Sequence, residues 1–332
     1  MEKQSKLFKI FIYLCLILLA LSILIPVAWV FMASIKTNPE FYGNPWAMPQ
    51  SFYLDNFKDA WKAANMGDYF LNSVIVTALA LVVLLVIATP CAYILARMNF
   101  KGKKFLTILM RAGLFVNLSY IVIPIFLLLR SWNMGLAGSK IIPDGFFLNN
   151  RLILALIYAA NAIPFTVYLL SNFFSAISKS YEEAAYIDGA GYYRTMVDVM
   201  IPMAKPAVIT VILFNFLTFW NEYILALTLM TDPVKRTLPV GLINLQQAAR
   251  GAANYGRLYA GLVIVMIPTL IIYILVQKQL TEGMMVVGDK EIESGLLTVR
   301  NRDGEETKDV ALSDFIQKIS EERDSKSRES IY

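Results

Sequence analysis

The chain has 332 residues, 57% of them hydrophobic and 17% charged, where a soluble domain carries about 25% charged residues; the deficit points to an integral membrane protein. It has no histidine, which excludes His-based catalysis and His metal sites, and Cys15 and Cys91 both fall in apolar stretches, where they make neither a disulfide framework nor a zinc site. The net charge of +5 divides unevenly, with 22 Lys+Arg against 13 Asp+Glu up to Gly288 and 8 against 12 from Asp289 on. Basic residues scattered between apolar segments suit topology and lipid head groups rather than nucleic acid.

Residues 1–10, with Lys3, Lys6 and Lys9, precede an apolar run from Ile10 to Ile35. A cleaved leader has an apolar core of about 7–15 residues and a small-residue cleavage site. This run is longer and ends in Ser34-Ile35-Lys36, so it reads as an uncleaved first span. A span needs about 20 apolar residues, and six are expected: Phe11–Ile35, Phe70–Leu95, Phe105–Leu129, Leu152–Phe174, Pro206–Leu229 and Tyr259–Val276. Pro26, Pro90, Pro124, Pro164 and Pro268 lie inside them and mark kinks. Residues 36–69 are too polar to cross and are expected to lie flat, with Phe41, Tyr42, Trp46, Phe52 and Tyr53 at head-group depth. Arg97, Lys101, Lys103 and Lys104 make the next loop cytosolic by the positive-inside rule. The N-terminus, residues 178–205 and the tail then share that side. Ser131–Asn150, with Gly135, Gly138, Pro143 and Gly145, reads as a turn-rich external link.

Residues 178–205 are polar between two apolar segments and so sit at a membrane surface. Ser180 and Glu183 have capping-box spacing and predict a helix from Tyr181. Gly189 is placed to stop it in a left-handed turn. A second helix fits Tyr192–Met200, with Pro202 expected to end it by holding Ile201 extended. Glu183-Ala184-Ala185, then Asp188-Gly189-Ala190, then Ile201-Pro202 resemble the EAA motif of ABC importer permeases. The form resembles that of the carbohydrate-uptake (maltose-type) family, with Met196 where phenylalanine is frequent. The resemblance implies an all-α integral membrane protein, a six-helix bundle of the type I importer kind over residues 11–280. It makes 181–202 a coupling helix-turn-helix, with Glu183, Ala184, Ala185, Asp188, Gly189, Ile201 and Pro202 serving a partner ATPase. Taken singly, the same residues are a cap, a solvated acid and helix filler.

In the fifth span Asn215, Trp220, Asn221 and Glu222 stand out, because polar groups are costly in lipid. Asn215 and Glu222 are seven apart and share a helix face. Phe219–Tyr223 followed by Ala226–Leu229 also resembles the sugar-permease fifth span. Two readings stay open: a polar lining of the translocation path, with aromatic faces for sugar rings, or contacts with neighbouring helices. Asn117, Ser119, Tyr120, Asn161 and Thr166 are weaker candidates for which helix contacts are favoured. Residues 231–257 form a longer polar link. There Gln246, Gln247, Arg250, Asn254 and Tyr255 either meet an extracellular solute-binding protein, as the resemblance implies, or are simply solvated. Gln277–Met284 resembles the close of the family. Residues 281–332 continue as a cytosolic segment and a charged, largely disordered tail, with Leu312, Phe315, Ile316 and Ile319 at helical spacing.

No G-x-x-x-x-G-K-[ST] loop occurs, and no carboxylate pair suits acid–base catalysis. The chain is expected to be a transport subunit rather than an enzyme, with no catalytic residue, metal or cofactor of its own. By the resemblance, ATP and magnesium belong to two partner ATPase subunits. A second permease, an extracellular solute-binding protein and membrane lipid complete the partners, in a bacterial plasma (inner) membrane with both termini cytosolic. The mechanism implied is alternating access. The alternative is a self-sufficient channel or ion-coupled secondary transporter, which often shows two related halves and paired charges at the midplane. No repeat is visible here, and one carboxylate lies within a span.

Overall fold

The computed structural model describes residues 6–63, 65–136, 146–252, 254–281, 296–300 and 306–311, with residues 314, 315 and 317. Gly138, Pro143 and Gly145 of the external link, and Leu312, Ile316 and Ile319 of the apolar stripe, lie outside the described residues. The chain divides into two units, residues 1–273 and 274–332.

Helix α1 (Lys6–Ser34) is followed by α2 (Asn38–Gly43), α3 (Asp55–Ala63) and α4 (Met66–Arg97). Next come α5 (Lys103–Gly113), α6 (Leu118–Leu136), α7 (Arg151–Ala176) and α8 (Ser180–Ile187). Then α9 (Tyr192–Arg194), a π-helical turn (Thr195–Met200), α10 (Ile201–Met203), α11 (Lys205–Asn221) and α12 (Ile224–Leu229) follow without a long loop. A 3-10 turn (Pro233–Lys235), α13 (Leu238–Ala252) and α14 (Tyr255–Thr281) complete the helices named here. Among the described residues five helices are long and apolar enough to cross a membrane; a sixth span results if residues 192–203 and 205–221, bent by 74°, are taken together.

The core is built on α4 and α7. Val76, Ala80, Leu84, Ala88 and Ala92 recur every fourth residue on α4, and all are buried in one cluster with Leu154, Ala155, Tyr158, Ala159 and Ala162 of α7. In lipid the hydrophobic effect does not drive helices together, so small residues that let backbones approach closely take over. At the far end, α1 is tied down by Trp29, whose Nε1 donates to the Pro45 carbonyl at 3.1 Å and whose ring lies 5.0 Å from Tyr259. Lys36 is buried and donates to the Asn44 and Pro45 carbonyls at 3.2 and 2.9 Å.

Four expectations need correcting. The third span is broken: α5 ends at Gly113, where a Cβ would come within 2.7 Å of Pro164, and Asn117 Oδ1 accepts from the Ser119 amide to start α6. The fifth span is broken at Glu222, between α11 and α12. The polar link 231–257 is largely helical, and Asn72 Nδ2 holds its start by donating to the Val234 and Arg236 carbonyls, both at 2.9 Å. In the second unit, the tail expected to be largely disordered contains an antiparallel pair, β1 (Leu296–Arg300) with β2 (Glu306–Ala311), Leu296 opposite Ala311. Leu297 pairs with Val310 and Val299 with Thr307 in the backbone register, residue types of which Val and Thr favour strands.

Candidate coupling site

Helix α8 ends as its sequence requires. Gly189 has φ +79°, its amide donates to the Tyr186 carbonyl and the Ala190 amide to the Ala185 carbonyl, at 3.0 and 2.9 Å. These two bonds are the Schellman pattern, which satisfies the orphan carbonyls of a helix end around one left-handed glycine. The start of α8 differs from the expected capping box. Lys179 stands at the cap without a side-chain bond, and Ser180 Oγ pairs with Ser178 Oγ at 2.8 Å.

Proline 202 does not end the second helix, and Ile201 is helical at φ −66° and ψ −45°. A proline lacks its amide and crowds the preceding turn. The π-helical turn supplies the slack: the Ile201 amide reaches back to the Met196 carbonyl, five residues away, and Pro202 enters α10 in its first turn. Met196 and Met200 on that turn are buried, and the chain bends at buried Ala204 into α11.

The two glutamates of α8 point to different places. Glu183 is exposed, along with Ala184, Asp188 and Gly189, while Ala185 is buried, Ile201 half-buried and Pro202 exposed. Glu182 is buried, accepts a hydrogen bond from Tyr93 Oη at 2.6 Å and lies 3.5 Å from Arg97 Nε. That Nε is in ion-pair range but makes no hydrogen bond; the guanidinium Nη2 instead donates to the Ile177 carbonyl, where α7 has just ended. Tyr93 also meets Phe174 and Tyr192 at ring separations of 5.6 and 5.4 Å. One acid thus knots together α4, the end of α7, α8 and α9. Around the turn, Ile187 is 86% and Tyr193 78% exposed, a presentation that suits a partner surface. Glu182, Tyr93, Ile187 and Tyr193 are functional candidates that sequence reasoning missed. Two adjacent acids at the mouth of a span, one of them about 100° round the helix from the other, were the available signal for Glu182.

The fifth-span residues separate in the same way. Asn215 is buried and donates to Thr166 Oγ1 at 3.1 Å and to the Val211 carbonyl at 2.8 Å. Trp220 is buried, donates to the Val265 carbonyl at 3.1 Å and stacks on Phe216. Glu222 spans the break: it accepts from the Leu225 and Ala226 amides at 2.8 and 3.2 Å and from Tyr158 Oη at 2.5 Å. Its carboxylate thereby caps α12. Asn221 is exposed, with Nδ2 on the Leu217 carbonyl, and Asn117, Ser119, Tyr120 and Asn161 are exposed too. On α13, Gln246 and Gln247 are exposed. Asn254 Oδ1 instead accepts from the Arg257 amide at 3.2 Å, and Tyr255 stacks on Phe41 at 5.6 Å. The side chain of Arg250 lies outside the description.

This broken-helix bundle with a helix-turn-helix between its fourth and fifth spans matches known proteins. The model of the binding-protein-dependent transport system inner membrane component covers residues 88–284. The chain belongs to this family. It is 37% identical over 265 residues to the diacetylchitobiose uptake system permease protein NgcG of Streptomyces coelicolor, covering 80% of this chain and 83% of the relative. It is 30% identical to the trehalose/maltose transport system permease protein MalG of Thermococcus litoralis, covering 85% and 97%. Among solved structures, a bacterial ABC transporter that imports the acidic polysaccharide alginate superposes with a TM-score of 0.70 at 26% identity, covering 84% and 99%. A model of the anticodon binding domain also matches residues 277–322; it covers too little of the chain to say what the chain is. The expected maltose-type ABC permease membership, the α-helical importer fold and the role as a transport subunit rather than an enzyme all hold.

Proposed function

We propose that this permease takes up a sugar or oligosaccharide by alternating access, driven by ATPase subunits that dock on α8 and the Gly189 turn. The observation that carries the reading is the split within α8: Glu182 is buried and fastened to α4, while Glu183, Ala184, Ile187 and Asp188 face outward. A lever needs one side fixed to what it moves and one side open to what drives it. A partner shifts the bundle only by the difference between its contacts in the two states, and the outward residues are where those contacts form. ATP and magnesium stay on the ATPase. The basic residues 97–104 lie at the α8 end of the bundle, which supports a cytosolic placement of both termini in a bacterial inner membrane.

A carbohydrate substrate follows from relatives named for diacetylchitobiose and for trehalose and maltose. Exposed Asn161 and Asn221 leave polar groups facing away from this subunit's core, where a second permease completes the path. Gln246 and Gln247 on α13 offer amides to an extracellular solute-binding protein. The test is uptake of labelled oligosaccharide in vesicles carrying the full complex. Uptake is expected to require ATP and a co-purifying ATPase, and to vanish in Glu183→Lys with the subunit still inserted. Uptake by the chain purified free of any ATPase would overturn the reading in favour of a channel or secondary transporter.

A further inference from the structure

Helix α5 is amphipathic and none of its residues is buried. Lys103, Thr107 and Arg111 recur every fourth residue and share one face. That face and the last turns of α7 enclose a cleft of about 170 Å3, whose other wall carries Ser171, Asn172 and Ser175. Val167, which is buried, also lines it.

The charge here is unbalanced. Between Asp68 and Glu182 the sequence holds one acid, Asp144, whereas Arg97, Lys101, Lys103, Lys104 and Arg111 fall within residues 97–111. Arg97 is paired with Glu182, and Lys103 Nζ donates to the Met98 carbonyl at 2.9 Å with two donors to spare. Among the described residues no acid lines the cleft. The hydroxyls of Thr107, Ser171 and Ser175 donate to carbonyls of their own helices at 2.9, 3.1 and 2.8 Å. Each needs only a rotation about one bond to donate elsewhere. An ammonium and a guanidinium carried on backbone positions about 12 Å apart along the helix, an amide between two hydroxyls, and no carboxylate among the described lining residues match the anionic oxygens of a phosphate group. Beside them Phe105, Ile108 and Leu109 are exposed on α5, an apolar strip on which acyl chains can lie.

We propose that this cleft binds the phosphate of an anionic phospholipid from the leaflet on the α8 side, between Lys103 and Arg111, and so pins α5 to α7 beside the coupling helix. The depth rests on the topology proposed above, since anionic lipid is concentrated on the cytosolic face.

The test uses the assembled transporter in nanodiscs of phosphatidylcholine with phosphatidylglycerol as the minor component, followed by release into the gas phase and mass analysis of retained lipid. The wild type is expected to keep phosphatidylglycerol about tenfold over its share of the bilayer. K103Q/R111Q is expected to lose that excess, and the charge-conserving K103R/R111K to keep it. Equal retention in wild type and K103Q/R111Q overturns the proposal. So does equal enrichment of phosphatidylcholine, or displacement of the lipid by inorganic phosphate alone, which would make the cleft a free-phosphate site. The readout needs no transport. A lipid result as expected beside ATP-independent uptake therefore sinks the importer reading and spares the cleft, and the reverse pattern does the opposite.

Discussion

The Tyr93 hydroxyl donates to the Glu182 carboxylate at 2.6 Å, joining residues 89 positions apart in the sequence. This bond and the nearby Arg97 fasten the first turn of α8 to the end of α4, as the proposed coupling requires. The side chains of Arg97 and Glu182 are 7% and 12% exposed, so water does little to screen the pair.

Removing one member of a buried ion pair strands the other, at a cost of about 3–5 kcal/mol. Glu182→Ala is therefore expected to lower uptake by about tenfold or more, each 1.4 kcal/mol being roughly a factor of ten. It should also make the chain more susceptible to proteolysis between residues 178 and 191. Arg97→Met with Glu182→Leu removes both charges and is expected to restore protease resistance. Uptake and protease resistance unchanged in Glu182→Ala would show that the knot does not hold α8.

Gly189 separates backbone strain from charge. Nothing lies within 4 Å of a Cβ built there, but φ is +79°, and a left-handed residue other than glycine costs about 1–2 kcal/mol, less for Asn and Asp. Gly189→Asn is expected to keep most uptake and Gly189→Ala to lose more. Gly189→Asp adopts the turn as Asn does but adds a negative charge at the exposed turn, so its uptake is expected to vanish while the subunit stays inserted. If Asp behaved like Asn, the turn would not be a docking surface. ATPase co-purification with each variant is the direct measurement.

Glu222 holds a break inside a span. In Glu222→Ala the buried Leu225 and Ala226 amides lose their acceptor, at about 1–3 kcal/mol each. The thermal midpoint is expected to fall in the order wild type, Tyr158→Phe, Glu222→Gln, Glu222→Ala, because Gln keeps one acceptor oxygen and Phe removes only the phenol. A midpoint in Glu222→Ala equal to wild type would show the break is held by other groups.

Much of this was legible in advance, for physical reasons that also mark the limit. Apolar length located the spans, and Gly189 located the turn, because both depend on local chemistry. The breaks at 114–117 and at Glu222 were not legible: the apolar composition runs straight through them, and the groups beside them, Pro164 against Gly113 and Tyr158 on Glu222, come from α7. Ile201 differs because the bias against helical geometry before proline is only a preference, and the π turn removes the other obstacle, the crowding of the preceding turn by the ring. Glu182 and Glu183 look alike as a string, yet one is buried and the other solvated. Helix α13 reads as loop by polarity, but Asn72 and Ser73 of α4 anchor its start, Ser73 Oγ accepting from the Leu238 amide at 2.8 Å.

Asn215 and Asn221, six residues apart, give the last test because the sequence treats them alike. Asn215 is bonded to Thr166 on α7, and such interhelical bonds in membranes are worth about 0.6 kcal/mol on average and up to about 1.7. Asn221 donates to the Leu217 carbonyl of its own helix and is exposed. Asn215→Ala is expected to lower the thermal midpoint and leave the KM for oligosaccharide unchanged. Asn221→Ala is expected to leave the midpoint unchanged and to raise KM if its amide meets the substrate path. The two measurements on one pair of variants separate packing from recognition. A raised KM in Asn215→Ala with an unchanged midpoint would put Asn215 in the path instead, and would mean that the α7 bond opens during transport.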